Sequence, residues 1–158
     1  MTTAGGPVVS ATDRAGMAAA LAQAREGGER GEVPVGAAVV VGGHVVAQAH
    51  NETIAQHDLT QHAEMLAIRR ALTALGTDRL DEAVLYITLE PCAQCAGAIV
   101  LARVGKVVFG AYDEKAGMAG SVGDLLRHPK LNHRPEVRGG LMAEQCGELL
   151  TDFFERRR

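Results

Sequence analysis

Apolar residues along the chain alternate between helical and strand spacing, and small residues punctuate the runs. Over residues 12–26, Met17, Ala18, Leu21, Ala22 and Ala24 fall on one helical stripe, which Gly27 and Gly28 are expected to stop. Residues 33–41 and 45–49 are strand-like, and Gly42-Gly43 between them suits a tight hairpin turn. Pro34 fits the start of its strand, where a missing N–H is tolerated. A second helix is predicted over residues 60–75, burying Met65, Leu66, Ile68, Leu72 and Leu75, with Gly76 as its stop. Val84–Leu89 reads as a short apolar strand, residues 91–103 as a helix rich in small residues closed by Gly105, and residues 107–110 as another strand. Such a β-α-β unit implies parallel pairing. A short helix near residues 122–127, an optional short strand and a last helix over residues 141–154 complete an α/β layered domain. Residues 1–10 read as a flexible leader, and residues 11–158 as a single domain.

Length and composition narrow this picture. A chain of 158 residues with 47% apolar content has room for one well-cored domain. Aromatic residues are only 3%, with no Trp, so the core is aliphatic and a groove paved with stacking rings is excluded. The net charge is −3, unevenly spread: residues 1–126 carry 9 basic and 14 acidic groups, whereas residues 127–158 carry 7 and 5. This is no wholesale polyanion binder, but a locally basic C-terminal edge can steer a phosphate backbone. The longest stretch without Asp, Glu, Lys or Arg, residues 33–51, is broken by Pro34, three glycines and polar side chains, so no membrane span is expected. The opening 16 residues lack the pattern of an export signal, and the three cysteines cannot close a disulfide framework. Reduced thiols or metal ligands, and a cytoplasmic location, are expected.

Candidate chemistry concentrates in His62-Ala63-Glu64 and Pro91-Cys92-Ala93-Gln94-Cys95. Two cysteines three residues apart share one helix face, so both sulfurs can reach a single ion. Pro91 suits the first helical position, which would put both thiols in the first turn, where the helix dipole favours thiolates. Thiolate and imidazole donors select zinc, and His62, Cys92 and Cys95 would neutralise it. Cys146, set among Leu141, Leu149 and Leu150, reads as a buried inert thiol. Three ligands leave a position open, as a catalytic zinc site requires. Glu64 points away from His62 on an ideal helix, so both can serve one site only at the helix tip. His-x-Glu followed by Pro-Cys-x-x-Cys, whose first Cys lies 28 positions after the Glu, is the zinc-deaminase signature, in which the Glu moves protons and is not a ligand. Hydrolytic deamination of a ring C–NH2 is the expected chemistry.

The likeness extends well beyond this signature. EVPVGA (residues 32–37), Asn51, HDLTQHAE (57–64), LYITLEPCAQCAGA (85–98), RVGKVVFGA (103–111), Asp113, AGS (119–121), LNHRPE (131–136) and DFFERRR (152–158) follow in an order and spacing that resemble the bacterial tRNA-specific adenosine deaminases. The PCxxC motif alone would mark only the wider cytidine-deaminase-like superfamily. The resemblance implies a three-layer α-β-α fold with a central mixed five-stranded sheet, a homodimer, one Zn2+ per subunit and conversion of adenosine to inosine at the wobble position of an arginine tRNA anticodon. It implies His62, Cys92 and Cys95 as zinc ligands, Glu64 as proton shuttle, Asn51 as a hydrogen-bonding partner of the base and Asp113 near the substrate nucleotides. His128, Asn132, Arg134, Phe153, Phe154 and Arg157 fall where this family meets the anticodon stem-loop. Leu59, Gln61 and Gln94 depart from the family's common residues, and Gln61 and Gln94, which flank the site, are expected to alter pocket polarity. A metabolic deaminase of a free nucleobase or nucleoside, guanine or cytosine in type, would share the zinc constellation, and a zinc-stabilised binding module would need a fourth ligand that the sequence does not offer.

Overall fold

The computed structural model describes residues 11–157, so the leader expected over residues 1–10 lies outside them. Its elements are α1 (Ala11–Glu29), β1 (Gly36–Val41), β2 (His44–His50), α2 (Ala63–Leu75), β3 (Val84–Leu89), α3 (Ala93–Leu101), β4 (Lys106–Ala111), β5 (Glu136–Arg138) and α4 (Ala143–Glu155). The five strands form one sheet in the order β2-β1-β3-β4-β5. β1 runs antiparallel to β2 and β3, whereas β3, β4 and β5 are mutually parallel. The β1–β2 hairpin turns on Gly42 and Gly43, both at positive φ (58° and 81°), a conformation that residues with a Cβ resist.

Strand alternation builds the layers. Ala37, Val39, Leu85, Ile87, Val107 and Phe109 join the cluster formed with α2 and α3 through Leu66, Ala67, Ile68, Ala96 and Ile99. The intervening Ala38, Val40, Tyr86 and Val108 pack with Met17, Ala20 and Leu21 of α1 and Cys146 of α4. Each fully buried Leu- or Ile-sized side chain contributes about 1.5–3 kcal/mol relative to exposure, so the aliphatic core suffices without Trp. On the α1–α4 side, the Tyr86 hydroxyl donates to Asp13 Oδ1 at 2.7 Å. Lys106 Nζ and Arg138 Nη1 each lie 3.4 Å from Asp13 Oδ2, which ties the first helix to β3, β4 and β5.

Several expectations need correction. The helix expected over residues 122–127 is absent: that stretch is turns with one bridge, Ala119 to Asp124. The N–H groups of Val122 and Leu125 go to Gly117 O at 2.8 Å and Met118 O at 2.9 Å instead of to i−4 carbonyls, and Gly120 sits at φ 133°, so no helical ladder forms there. α1 runs through Gly27 and Gly28 instead of stopping, because these glycines admit His50 and Pro34 at close range. α2 begins at Ala63 and α3 at Ala93, each later than expected, and Leu75 is exposed. Both late starts reshape the site.

Candidate active site

His62 and Cys92 are the N-cap residues of α2 and α3, with extended backbones (φ −78°, ψ 153° and φ −77°, ψ 179°). Pro91 therefore precedes the cap and is not the first helical residue. β3, the central strand, delivers Cys92 just past its C-terminal end, and the loop after β2, whose C-terminal end lies at the same end of the sheet, delivers His62. His62 Nδ1 lies 3.5 Å from Cys92 Sγ and 3.4 Å from Cys95 Sγ. Donor atoms of all three lie within 4.8 Å of one another. Zinc–sulfur bonds of about 2.3 Å and zinc–nitrogen bonds of about 2.0 Å in tetrahedral array separate neighbouring donors by roughly 3.5–3.8 Å. The donor set and its spacing therefore fit a metal ion, and Cys146 belongs to a separate cluster under α4.

The three donors are coupled through their own hydrogen bonds. The hydrogen bond from the Cys95 thiol, followed by that with His62, pulls Cys92 well below the ordinary thiol range. The same bond and burial push Cys95 upward. Hydrogen bonding to Cys92 raises His62 despite partial burial.

Glu64 sits one residue into the first turn of α2, buried at 4% exposure. Its N-cap neighbour is not yet helical, which removes the 200° divergence of an ideal helix and lets His62 and Glu64 face one cleft. Burial pushes the Glu64 carboxyl above the ordinary carboxylate range, aided by the nearby Cys92 charge. An upward shift toward neutrality suits a group that must both take and give protons. A cleft of about 390 Å³ holds His62, Glu64 and Cys92 together with Asn51, Leu59, Asp113 and Ala116. Asn51 is buried and its Oδ1 accepts the Ala63 N–H at 2.8 Å. Asp113 Oδ1 accepts from the N–H groups of Lys115 and Ala116, both at 3.1 Å, and this caps the turn that forms the far wall. The structure thus brings together all six expected site residues, with Cys95 buried just behind the cleft.

The segment expected to meet RNA lies elsewhere. His128, Asn132 and Arg134 are exposed, and Asn132 lines a groove with Leu101, Arg103 and Lys130. Phe153 is buried under the Arg157 guanidinium, 3.6 Å from its ring centre, whereas Phe154 is half exposed. None of these six lines the cleft. Among the departing residues, Leu59 is exposed at the cleft mouth, Gln61 donates to Asp58 Oδ2, and Gln94 Nε2 donates to Thr60 O at 2.9 Å. Gln94 thus pins α3 to the loop before His62.

Two glutamates that frame the cleft escaped the sequence reading. Glu32, 2% exposed, accepts from Ile54 N–H at 3.0 Å and Ala55 N–H at 2.9 Å, and so holds the loop after β2. Glu90, 1% exposed, accepts from the N–H groups of Asp113, Ala119 and Ser121, each at 3.0 Å, and from the Ser121 hydroxyl. Burial opposes ionisation of Glu90, but this set of donors outweighs it and holds the carboxyl below its usual range. The available signal was a carboxylate at the end of each apolar stretch it serves, EVPV and LYITLE.

Comparison with known proteins places this geometry. Residues 12–158 match the family model of the MafB19-like deaminases, and the fold and site define the class: a hydrolytic deaminase of the cytidine-deaminase-like type. The tRNA-specific adenosine deaminase of Bacillus subtilis (strain 168) is 49% identical over 142 residues, 90% of this chain and 88% of that protein. A solved structure from work on A-to-I editing by tRNA:A34 deaminases is 44% identical, with TM-score 0.83 over 87% of this chain and 99% of that one. The chain belongs to the tRNA-specific adenosine deaminase family. Guanine deaminase from Bacillus subtilis is also similar, but at 32% identity and TM-score 0.62 over 91% of this chain and 92% of that one.

Proposed function

We propose that this deaminase converts adenosine to inosine at the wobble position of a tRNA anticodon, that of an arginine tRNA in the first instance, using one Zn2+ per subunit. The observation that carries the reading is the His62, Cys92, Cys95 triad with buried Glu64 in one cleft, in a chain 49% identical to the tRNA enzyme of Bacillus subtilis and 32% to its guanine deaminase. His62, Cys92 and Cys95 would hold the zinc, which when bound supplies the Lewis acidity that makes a water nucleophilic at neutral pH. Glu64 takes the proton released by that water and gives one to the ring nitrogen beside the reacting carbon. It then takes the remaining proton, that of the newly formed hydroxyl, and passes it to the amino group, which leaves as ammonia while the oxygen stays on the carbon as a carbonyl. The amide nitrogen of Asn51, whose oxygen is engaged by Ala63, donates to the base. Asp113 and Ala116 form the wall against which the flipped nucleotide is seated.

The same reading makes the anticodon stem-loop the partner, with residues 127–158, net +2, along its backbone. It makes the chain a homodimer, supported by α3: a Cβ at Gly97 would meet nothing within 4 Å, and Leu101 is 84% exposed. Within the described residues no helix is long and apolar enough to cross a membrane, consistent with action in the cytoplasm.

The test is inosine formation on an arginine tRNA transcript with adenosine at the wobble position, with free adenosine, guanine and cytosine in parallel. Conversion of the tRNA alone, lost in Glu64→Ala with zinc retained, supports the assignment. Conversion of a free base by a zinc-loaded enzyme inert toward the tRNA would establish the metabolic alternative instead.

A further inference from the structure

We infer that Glu90 is the positioning residue of the substrate cleft: it fixes the wall formed by residues 113–121 against the strand end that carries Cys92, and so sets how tightly substrate is held. The inference rests on the proposed reaction only for its kinetic arm.

The geometry is that of a loop wound around one carboxylate. Oε1 accepts from Asp113 N–H and the Ser121 hydroxyl, and Oε2 from the N–H groups of Ala119 and Ser121. Both ends of the loop are therefore held by a single side chain that is 1% exposed. Gly117 lies directly against it, and a Cβ there would overlap the Glu90 carboxyl. Pro91 O adds a backbone tie by accepting Met118 N–H at 2.8 Å. Neutral backbone donors converging on a buried carboxylate make a strong, directional set of bonds. The loop has no regular element of its own except the bridge between Ala119 and Asp124, so its shape depends on this anchor.

The consequence for the reaction follows from what the loop does and does not hold. Asp113 and Ala116 line the cleft beside Cys92, and Glu90 stands two residues before that ligand. His62 and Glu64, by contrast, are held by α2 and the Asn51 cap. Loss of the anchor should therefore weaken substrate seating more than the proton transfers. The isosteric change Glu90→Gln replaces one acceptor oxygen with an NH2 that faces N–H donors, and the other oxygen cannot serve them all.

The experiment measures Glu90→Gln beside the wild type in three ways: metal stoichiometry, amide hydrogen exchange over residues 113–121, and steady-state deamination of the anticodon stem-loop. Expected are unchanged metal content, at least tenfold faster exchange at Asp113, Ala119 and Ser121, and a KM raised tenfold or more with kcat within threefold. Glu90→Asp, which keeps the charge but shortens the reach, should recover part of the exchange protection and of KM. Wild-type exchange in folded Glu90→Gln overturns the inference, whatever the substrate proves to be. So does faster exchange accompanied by a fall in kcat at constant KM. A wild-type enzyme inert on the stem-loop would instead fail the proposed function and leave the exchange arm to decide the anchor. Should Glu90→Gln not fold, Ser121→Ala, which removes one hydroxyl donor, carries the test: a smaller rise in exchange and KM in the same direction supports the anchor, and wild-type values overturn it.

Discussion

The side-chain oxygen of Asn51 accepts the backbone N–H of Ala63 at 2.8 Å, so the residue expected to bind the base also caps the helix that carries His62 and Glu64. The two roles use opposite ends of one amide, and substitution can separate them. Asn51→Ala removes both, and is expected to cost roughly 0.5–2 kcal/mol of stability along with most of the activity. Asn51→Asp keeps the acceptor for Ala63 but has no N–H to offer the substrate. Its urea midpoint should remain near wild type while inosine formation falls at least tenfold. Full activity in Asn51→Asp would show that the amide nitrogen has no part in base recognition.

What the sequence made legible, and what it hid, divides along physical lines. β3 matched its expected bounds because an apolar run between charged flanks leaves few alternatives. The meeting of His62, Cys92 and Cys95 was legible because residue types and spacing suited to one ion bring their donor atoms together. The N-terminal starts of α2 and α3 were misplaced because His62 and Cys92 are poor capping residues by propensity, and neither makes a side-chain cap bond. The missing helix at residues 122–127 failed because the N–H groups of Val122 and Leu125 go to Gly117 O and Met118 O, in a loop whose Ala119 and Ser121 are held by Glu90, some thirty positions earlier. Glu32 and Glu90 look like ordinary surface charges until the loops they hold are seen around them.

Zinc removal should act on both activity and stability. The proposed ligands are the N-caps of two helices from different parts of the sheet plus Cys95, so a bound ion cross-links α2 to α3. Chelation is expected to abolish deamination and lower Tm, and added Zn2+ to restore both. Scanning fluorimetry with metal analysis checks this. An unchanged Tm after complete metal loss would deny the ion any structural share.

Tyr86 and Asp13 offer a stability test remote from the cleft. Tyr86→Phe removes the donor 2.7 Å from a carboxylate that is 4% exposed. Hydrogen bonds to charged groups contribute about 1.5–3 kcal/mol, and the remaining Lys106 and Arg138 partners moderate the loss toward the lower figure. Because this network packs on the sheet face away from α2 and α3, which follow His62 and Cys92, kcat should stay within twofold while the urea midpoint falls. A loss of activity without loss of stability would contradict that separation.

Cys146 should stay unreactive in the folded protein. It is 1% exposed beneath α4, and burial pushes its thiol up to about 11. Iodoacetamide at pH 8 should therefore spare Cys146 in the native protein and modify it after unfolding, as peptide mass spectrometry can show. The sign of the pH effect follows from the same shift. A thiol whose folded pKa lies above its ordinary value near 9 holds its proton longer in the folded state. Its contribution is fully present below about pH 9 and is lost as pH rises through about 11. Stability measured from pH 8 to 11 should thus fall less steeply in Cys146→Ala than in wild type, even though the alanine variant starts lower for want of packing. Parallel curves would mean that this thiol titrates alike in the folded and unfolded chains.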